Sequence, residues 1–113
     1  RQGTLRSPVA LALDGTRRLY VADRARAAIL AFDLFGSFVK RLSTPSLPDV
    51  QALSMHRGRL WIVCPDRVFV WAPETGAIAE HPVNLSAPLV DAARQGDDLF
   101  LLTAQQLYRR TPW

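Results

Sequence analysis

The sequence predicts an all-β chain of three successive β-propeller blades, four-stranded in the first two and incomplete in the last. Three observations predict it: an internal period of 40 residues, four strand-like runs per period, and β-branched and aromatic residues in the least ambiguous copy.

The first column of the repeat is Pro8-Val9-Ala10-Leu11-Ala12-Leu13. It is answered 40 residues later by Pro48-Asp49-Val50-Gln51-Ala52-Leu53, and 40 later again by Pro88-Leu89-Val90-Asp91-Ala92-Ala93. Each opens on proline, whose missing N–H does least harm at the entrance to a strand. The second column is Leu19-Tyr20-Val21-Ala22-Asp23, Leu60-Trp61-Ile62-Val63-Cys64 and Leu99-Phe100-Leu101-Leu102-Thr103: leucine, aromatic, aliphatic, then a small or aliphatic residue. Gly15, Gly58 and Gly96 stand just before these runs, where a turn joins the first column to the second. The third column is Ile29-Leu30-Ala31-Phe32, Val68-Phe69-Val70-Trp71 and Gln106-Leu107-Tyr108-Arg109. A fourth follows a glycine turn in two copies only, as Gly36-Ser37-Phe38-Val39-Lys40-Arg41-Leu42 and Gly76-Ala77-Ile78-Ala79-Glu80.

Two windows read in isolation favour helix. Residues 25–35 are alanine-rich, and residues 98–110 carry good helix formers with Leu99, Leu102 and Leu107 near helical spacing. The equivalent stretches of the second copy are β-branched and aromatic, and copies of one repeat share one structure, so strand is the reading. Blade 1 then spans residues 8–42, blade 2 residues 48–82 and blade 3 residues 88–110. Residues 1–6, with Gly3-Thr4-Leu5-Arg6, read as an outer strand completing another blade.

Composition bounds the function loosely. Of 113 residues, 49% are apolar and 21% charged, which suits a packed core rather than a disordered tail. The longest apolar run, Ala27 to Phe32, is far short of the roughly 20 residues a spanning helix needs. Arginine supplies 13 of the 14 basic residues, Lys40 being the exception, and the net charge is +4. Arginine prefers bidentate oxyanion contacts, but no basic run exceeds two residues, so nucleic acid is admitted as a partner and not favoured. The single Cys64 forbids an internal disulfide and reads as a small buried hydrophobe within an apolar run.

With the columns set out, the first copy resembles the NHL repeat. Pro8 through Gly15, then Leu19-Tyr20-Val21-Ala22-Asp23, Ile29-Leu30-Ala31-Phe32-Asp33 and Gly36-Ser37-Phe38-Val39 match that family's first strand, "yVaD" strand, third strand and Gly-led outer strand. The second copy departs from it at Cys64-Pro65-Asp66, and the third keeps only the apolar skeleton. The resemblance implies the C-terminal half of a six-bladed bacterial propeller, a class of which many members are exported. It specifies a fold, not an activity.

Blades bury their faces only against neighbours, so an open arc of three leaves two sheet faces wet. The expected partners are therefore additional blades, from the same longer chain or from a second copy pairing about a twofold axis.

No catalytic or metal constellation is legible, and no cofactor is expected. His56 and His81 read as solvated residues in loops of different blades, and no His-x-x-x-His or Cys-x-x-Cys spacing exists. Asp14, Asp33, Asp91 and the Asp97-Asp98 pair sit beside turns, where short carboxylates bind local N–H groups. Asp23 and Asp66 fall between second and third strands of consecutive blades, each with arginine beside it: Arg24 and Arg26, or Arg67. Those five residues are the candidate partner-binding set, at an end of the propeller that commonly carries ligands. The leading functional reading is a non-enzymatic protein-interaction or scaffold propeller. The alternatives are part of a propeller hydrolase or lyase, for which the single Asn84 supplies little, and an RNA-binding NHL propeller, which the division of arginines between both ends weakens.

Overall fold

The computed structural model describes residues 4–15, 17–45, 47 and 49–111. Three antiparallel sheets follow one another along the chain. Blade 1 holds β1 (Pro8–Asp14), β2 (Arg18–Asp23), β3 (Ala28–Phe32) and β4 (Phe38–Arg41), hydrogen-bonded in chain order. Blade 2 repeats this with β5 (Ala52–His56), β6 (Arg59–Cys64), β7 (Arg67–Trp71) and β8 (Ile78–Pro82). Blade 3 holds β9 (Leu89–Gln95), β10 (Asp98–Thr103) and β11 (Leu107–Arg110), with no fourth strand among the described residues.

The two helix-favouring windows are strands, as the repeat requires. Residues 98–110 form β10 and β11 paired as a hairpin, and residues 25–35 contain β3. Only Arg24–Arg26 makes a single 3-10 turn, ended by Ala27 at a φ of +51°. Local propensity is overridden because β3 is wholly buried between β2 and β4, where every backbone group needs a ladder partner. The tight turn at Arg57-Gly58, with φ of +50° and +74°, has the left-handed geometry that matches strand twist in a two-residue hairpin.

Strand alternation divides each blade into two faces. Tyr20, Ala22, Ile29 and Ala31 of blade 1 pack against Leu53, Leu60, Ile62, Cys64, Phe69 and Trp71 of blade 2. The opposite side of β6 and β7, with Trp61, Val63 and Val68, packs against Leu89, Ala92, Leu99 and Leu101 of blade 3. The core is thus two layers between blades, and each end of the arc keeps an uncovered face. On blade 1 this face carries Leu11 and Leu13, cross-strand from Val21 and Leu19, and the two leucines are 62% and 57% exposed. On blade 3 it carries Leu102 beside Leu107, which is 69% exposed.

Thr4 to Ser7 pairs in none of the three sheets of this chain. Of the sequence features noted above, residues 1–3, Gly3 among them, and the entrance proline Pro48 lie outside the described residues. Among those residues, no helix is long and apolar enough to cross a membrane.

Candidate functional site

The β2–β3 and β6–β7 turns lie at one end of the arc together with the connections between blades. Leu47 donates its N–H to the Ala27 carbonyl (3.1 Å), and Leu89 donates to the Pro65 carbonyl (2.8 Å), so each connection crosses its blade's turn. This end carries all five candidate residues, in two clusters, one per blade.

In blade 1 the residues differ sharply in exposure. Asp23 ends β2 with its side chain 0% exposed. Its carboxylate accepts the N–H of Arg6 (2.8 Å) and of Ser7 (2.9 Å), with the Arg26 guanidinium 3.6 Å away. Burial alone would raise its pKa. The backbone N–H groups of Arg6, Ser7 and Ala25, helped by the Arg26 charge, outweigh that and hold it below the ordinary value. Arg26 also donates to the Thr4 carbonyl through Nε and Nη2 (3.1 and 2.7 Å). Asp23 is therefore a clamp on the segment entering blade 1 and offers no carboxylate to solvent. Arg24 is more open, reaching the Val50 carbonyl (3.1 Å) and lying 3.6 Å from the Asp49 carboxylate, which ties blade 1 to the entry of blade 2.

In blade 2, Arg67 grips Asp66 with both Nε and Nη2 at 3.0 Å and reaches Glu80 with Nη1 at 2.6 Å. These contacts hold the Asp66 carboxyl below its usual range. Both side chains are solvent-exposed, so the pair contributes little to stability and presents adjacent charges outward. A shallow hollow of about 260 Å³ lies beside Asp66, between its turn and the connection through Val83 and Pro88.

Asp23 and Asp66 are not equivalent, although the sequence reading paired them. The ladder places Asp23 at the end of β2, level with Cys64 at the end of β6 and Thr103 at the end of β10. Only blade 1 has a carboxylate at that position. Thr103 there accepts the N–H of Gln106 through its hydroxyl (3.1 Å), capping its own turn. Cys64 is buried, and burial, followed by the Asp66 and Asp49 charges, pushes its thiol up to about 11. The native protein is accordingly expected to leave Cys64 unmodified by an aromatic disulfide reagent near neutral pH, with full reaction after denaturation. Rapid stoichiometric labelling of the folded chain would contradict the burial.

The histidines also fall differently from the sequence reading. His56 ends β5 and His81 lies within β8, both in blade 2, and they line one cleft of about 450 Å³ on the side of blade 2 that faces blade 3. Two side chains 25 positions apart converge because the sheet brings its inner and outer strands to one face. His56 Nε2 is buried with no hydrogen-bond partner among the described residues. Burial first, then the Arg57 and Arg94 charges, lowers its pKa and so favours the neutral ring. Alternation could have marked Trp61 as an inward residue, but nothing in the spacing of His56, His81 and Arg94 announced a shared cleft. Among the described residues, no three His, Cys, Asp or Glu side chains gather as a metal ion would require.

Three stacked antiparallel sheets with this connectivity define a β-propeller arc. The particular likenesses agree. The chain superposes over 99% of its length on 40% of a gluconolactonase from Xanthomonas campestris, at a TM-score of 0.75 and 23% identity. It superposes over 93% of its length on 40% of a streptogramin B lyase, at 0.66 and 16% identity. A computationally designed protein, Ika4, matches 97% of this chain with 96% of its own, at 0.60 and 9% identity. The chain thus spans about two-fifths of the length of the two enzymes, and at these identities the likeness is one of fold. No family model and no curated protein matches the chain.

Proposed function

We propose that the chain is a non-enzymatic binding propeller of NHL type, closed into a six-bladed ring by three further blades. Its contact with a protein partner is made at the end carrying Arg24, Arg26, Asp66 and Arg67, with Asp23 bracing that end from beneath. The observation that carries this reading is the pair of uncovered apolar faces. Leu11 and Leu13 crown one end of the arc and Leu102 and Leu107 the other. They are opposite sides of a blade, so a face like that of blade 3 fits a face like that of blade 1, head to tail. Each leucine so covered is worth roughly 1.5–3 kcal/mol. The NHL assignment is supported by blade 1, where the Asp of the Tyr20-Val21-Ala22-Asp23 run clamps the incoming segment.

The further blades belong either to a longer chain or to a second copy, and for the 113 residues taken alone only a second copy can supply them. Light scattering should give a monodisperse particle of twice the chain's 12.6 kDa. Pairing Leu11→Glu with Leu13→Glu should raise the dissociation constant by at least about a hundredfold, since carboxylates would have to enter a dry interface. A soluble, compact, monodisperse monomer of the unmodified chain would overturn the closure.

A further inference from the structure

The cleft between blades 2 and 3 is lined by residues of both blades of this chain. Its floor is one transverse row of blade 2, in which Trp61 on β6 pairs with Val70 on β7 and Val70 with Ala79 on β8. Alternation sends all three side chains to the same face, making a flat apolar surface with an indole at its inner end. Among the described residues blade 2 has four strands and blade 3 three, and Ala79 and His81 of β8 line the cleft. At about 450 Å³ it falls within the range of small-molecule sites.

The rim is cationic. Arg57 and Arg59 come from the β5–β6 hairpin and Arg94 from β9 of the facing blade, while among the described residues no Asp or Glu lines the cavity. Glu74 engages Arg59. The Arg94 guanidinium lies 5.4 Å over the Trp61 ring and its Nε donates to the Gly96 carbonyl (3.0 Å). Arg57 makes no hydrogen bond or ion pair among the described residues. Beneath it the His56 ring stands edge-on to Trp61, centroids 6.4 Å apart, with its buried Nε2 unpartnered. A buried polar atom without a partner is costly, and a ligand that supplies one removes the cost.

The repeat provides an internal comparison. An analogous cleft of about 390 Å³ lies between blades 1 and 2, lined by Tyr20 and Trp71 with Lys40 6.0 Å over the Trp71 ring. There a carboxylate, Asp14, sits on the rim beside Arg17 and Arg18. The scaffold is shared, but of the two clefts only the one between blades 2 and 3 has charged lining residues that are all cationic, with an imidazole nitrogen unpartnered among the described residues.

From this we infer that the cleft between blades 2 and 3 is a binding site for a small planar aromatic carboxylate. Its ring lies on the Trp61–Val70–Ala79 floor, its carboxylate is held by the Arg57 guanidinium, and a polar ring substituent meets His56 Nε2. Carboxylate is favoured because the Arg57 guanidinium, unengaged among the described residues, offers a planar two-pronged fork, the match for a planar oxyanion.

The test is a titration of the 113-residue protein with 6-hydroxynaphthalene-2-carboxylate, followed by the indole N–H resonances in nitrogen–proton correlation spectra and assigned with Trp61→Phe. The expected result is saturable movement of the Trp61 resonance with the Trp71 resonance fixed. The corresponding carboxamide should bind at least about tenfold more weakly, as should the carboxylate to Arg57→Gln, because each loses the charge-assisted pair. The aryl phosphate analogue is the second arm, and tighter binding of it would replace carboxylate by phosphate as the recognised group. Equal affinity for acid and amide, movement of Trp71 alone, or no movement at millimolar ligand would each overturn the proposal. A circular dichroism spectrum of Arg57→Gln matching the parent keeps loss of binding distinct from loss of fold.

Discussion

Asp23→Ala is expected to destabilise the fold by about 2–4 kcal/mol, read as a lower urea midpoint at unchanged slope. The carboxylate accepts two backbone N–H groups at 2.8 and 2.9 Å and faces the Arg26 guanidinium at 3.6 Å. Alanine leaves those donors without their acceptor. The Arg6 and Ser7 amides are only part-buried, so water recovers some of the loss and the cost stays below that of a fully enclosed site. Asp23→Asn keeps one acceptor oxygen and should fall between the two. The pH dependence has a definite sign. The folded carboxyl titrates below its ordinary value of 3.8, so its contribution is present above that value and is lost as pH falls through the depressed folded one. The Asn variant should therefore lose less stability on acidification than the parent, and parallel acid profiles would remove Asp23 from its clamping role.

Ile62→Ala is expected to cost about 2–5 kcal/mol, and Ile62→Val only about 0.5–1.5, by the same measurement. Ile62 is fully buried in β6, cross-strand from Leu53 and Phe69, and its side chain enters the layer between blades 1 and 2. Both walls of the resulting void are sheets held by their own ladders, so the site collapses poorly and the cost belongs in the upper half of the range. Leu13 makes the contrast: with 57% of its surface in water, Leu13→Ala should barely move the unfolding midpoint under conditions where the chain is monomeric. If Ile62→Ala and Leu13→Ala cost the same, the alternation of inner and outer faces described for these blades is wrong.

Much of the architecture was legible because a repeat averages over local ambiguity. Residues 98–110 look helical alone, but they align with Leu60-Trp61-Ile62-Val63, whose shape suits a pleated sheet, and β10 and β11 follow. Two of the entrance prolines fall at strand starts: Pro8 opens β1 and Pro88 immediately precedes β9. The site was legible only in part. Asp23 and Asp66 look alike in a string of letters, each acidic, before a turn and next to arginine. One proves fully buried and the other solvent-exposed, since a shift of position relative to the ladder moves a side chain from the interior to the surface. His56 and His81 were read as separate loop residues, and they share a cleft because β5 and β8 are the inner and outer edges of one sheet.

The amino-acid order by itself determined the period, the strand count of each blade, and which residues alternate toward a neighbour, since these follow from spacing and side-chain shape along a single strand. Tertiary structure alone decided which alternating face is covered, which carboxylate is buried, and which cations rim a common cavity. Those outcomes depend on register between strands and on stacking between sheets, and both bring together residues whose separation along the chain carries no signal of their meeting.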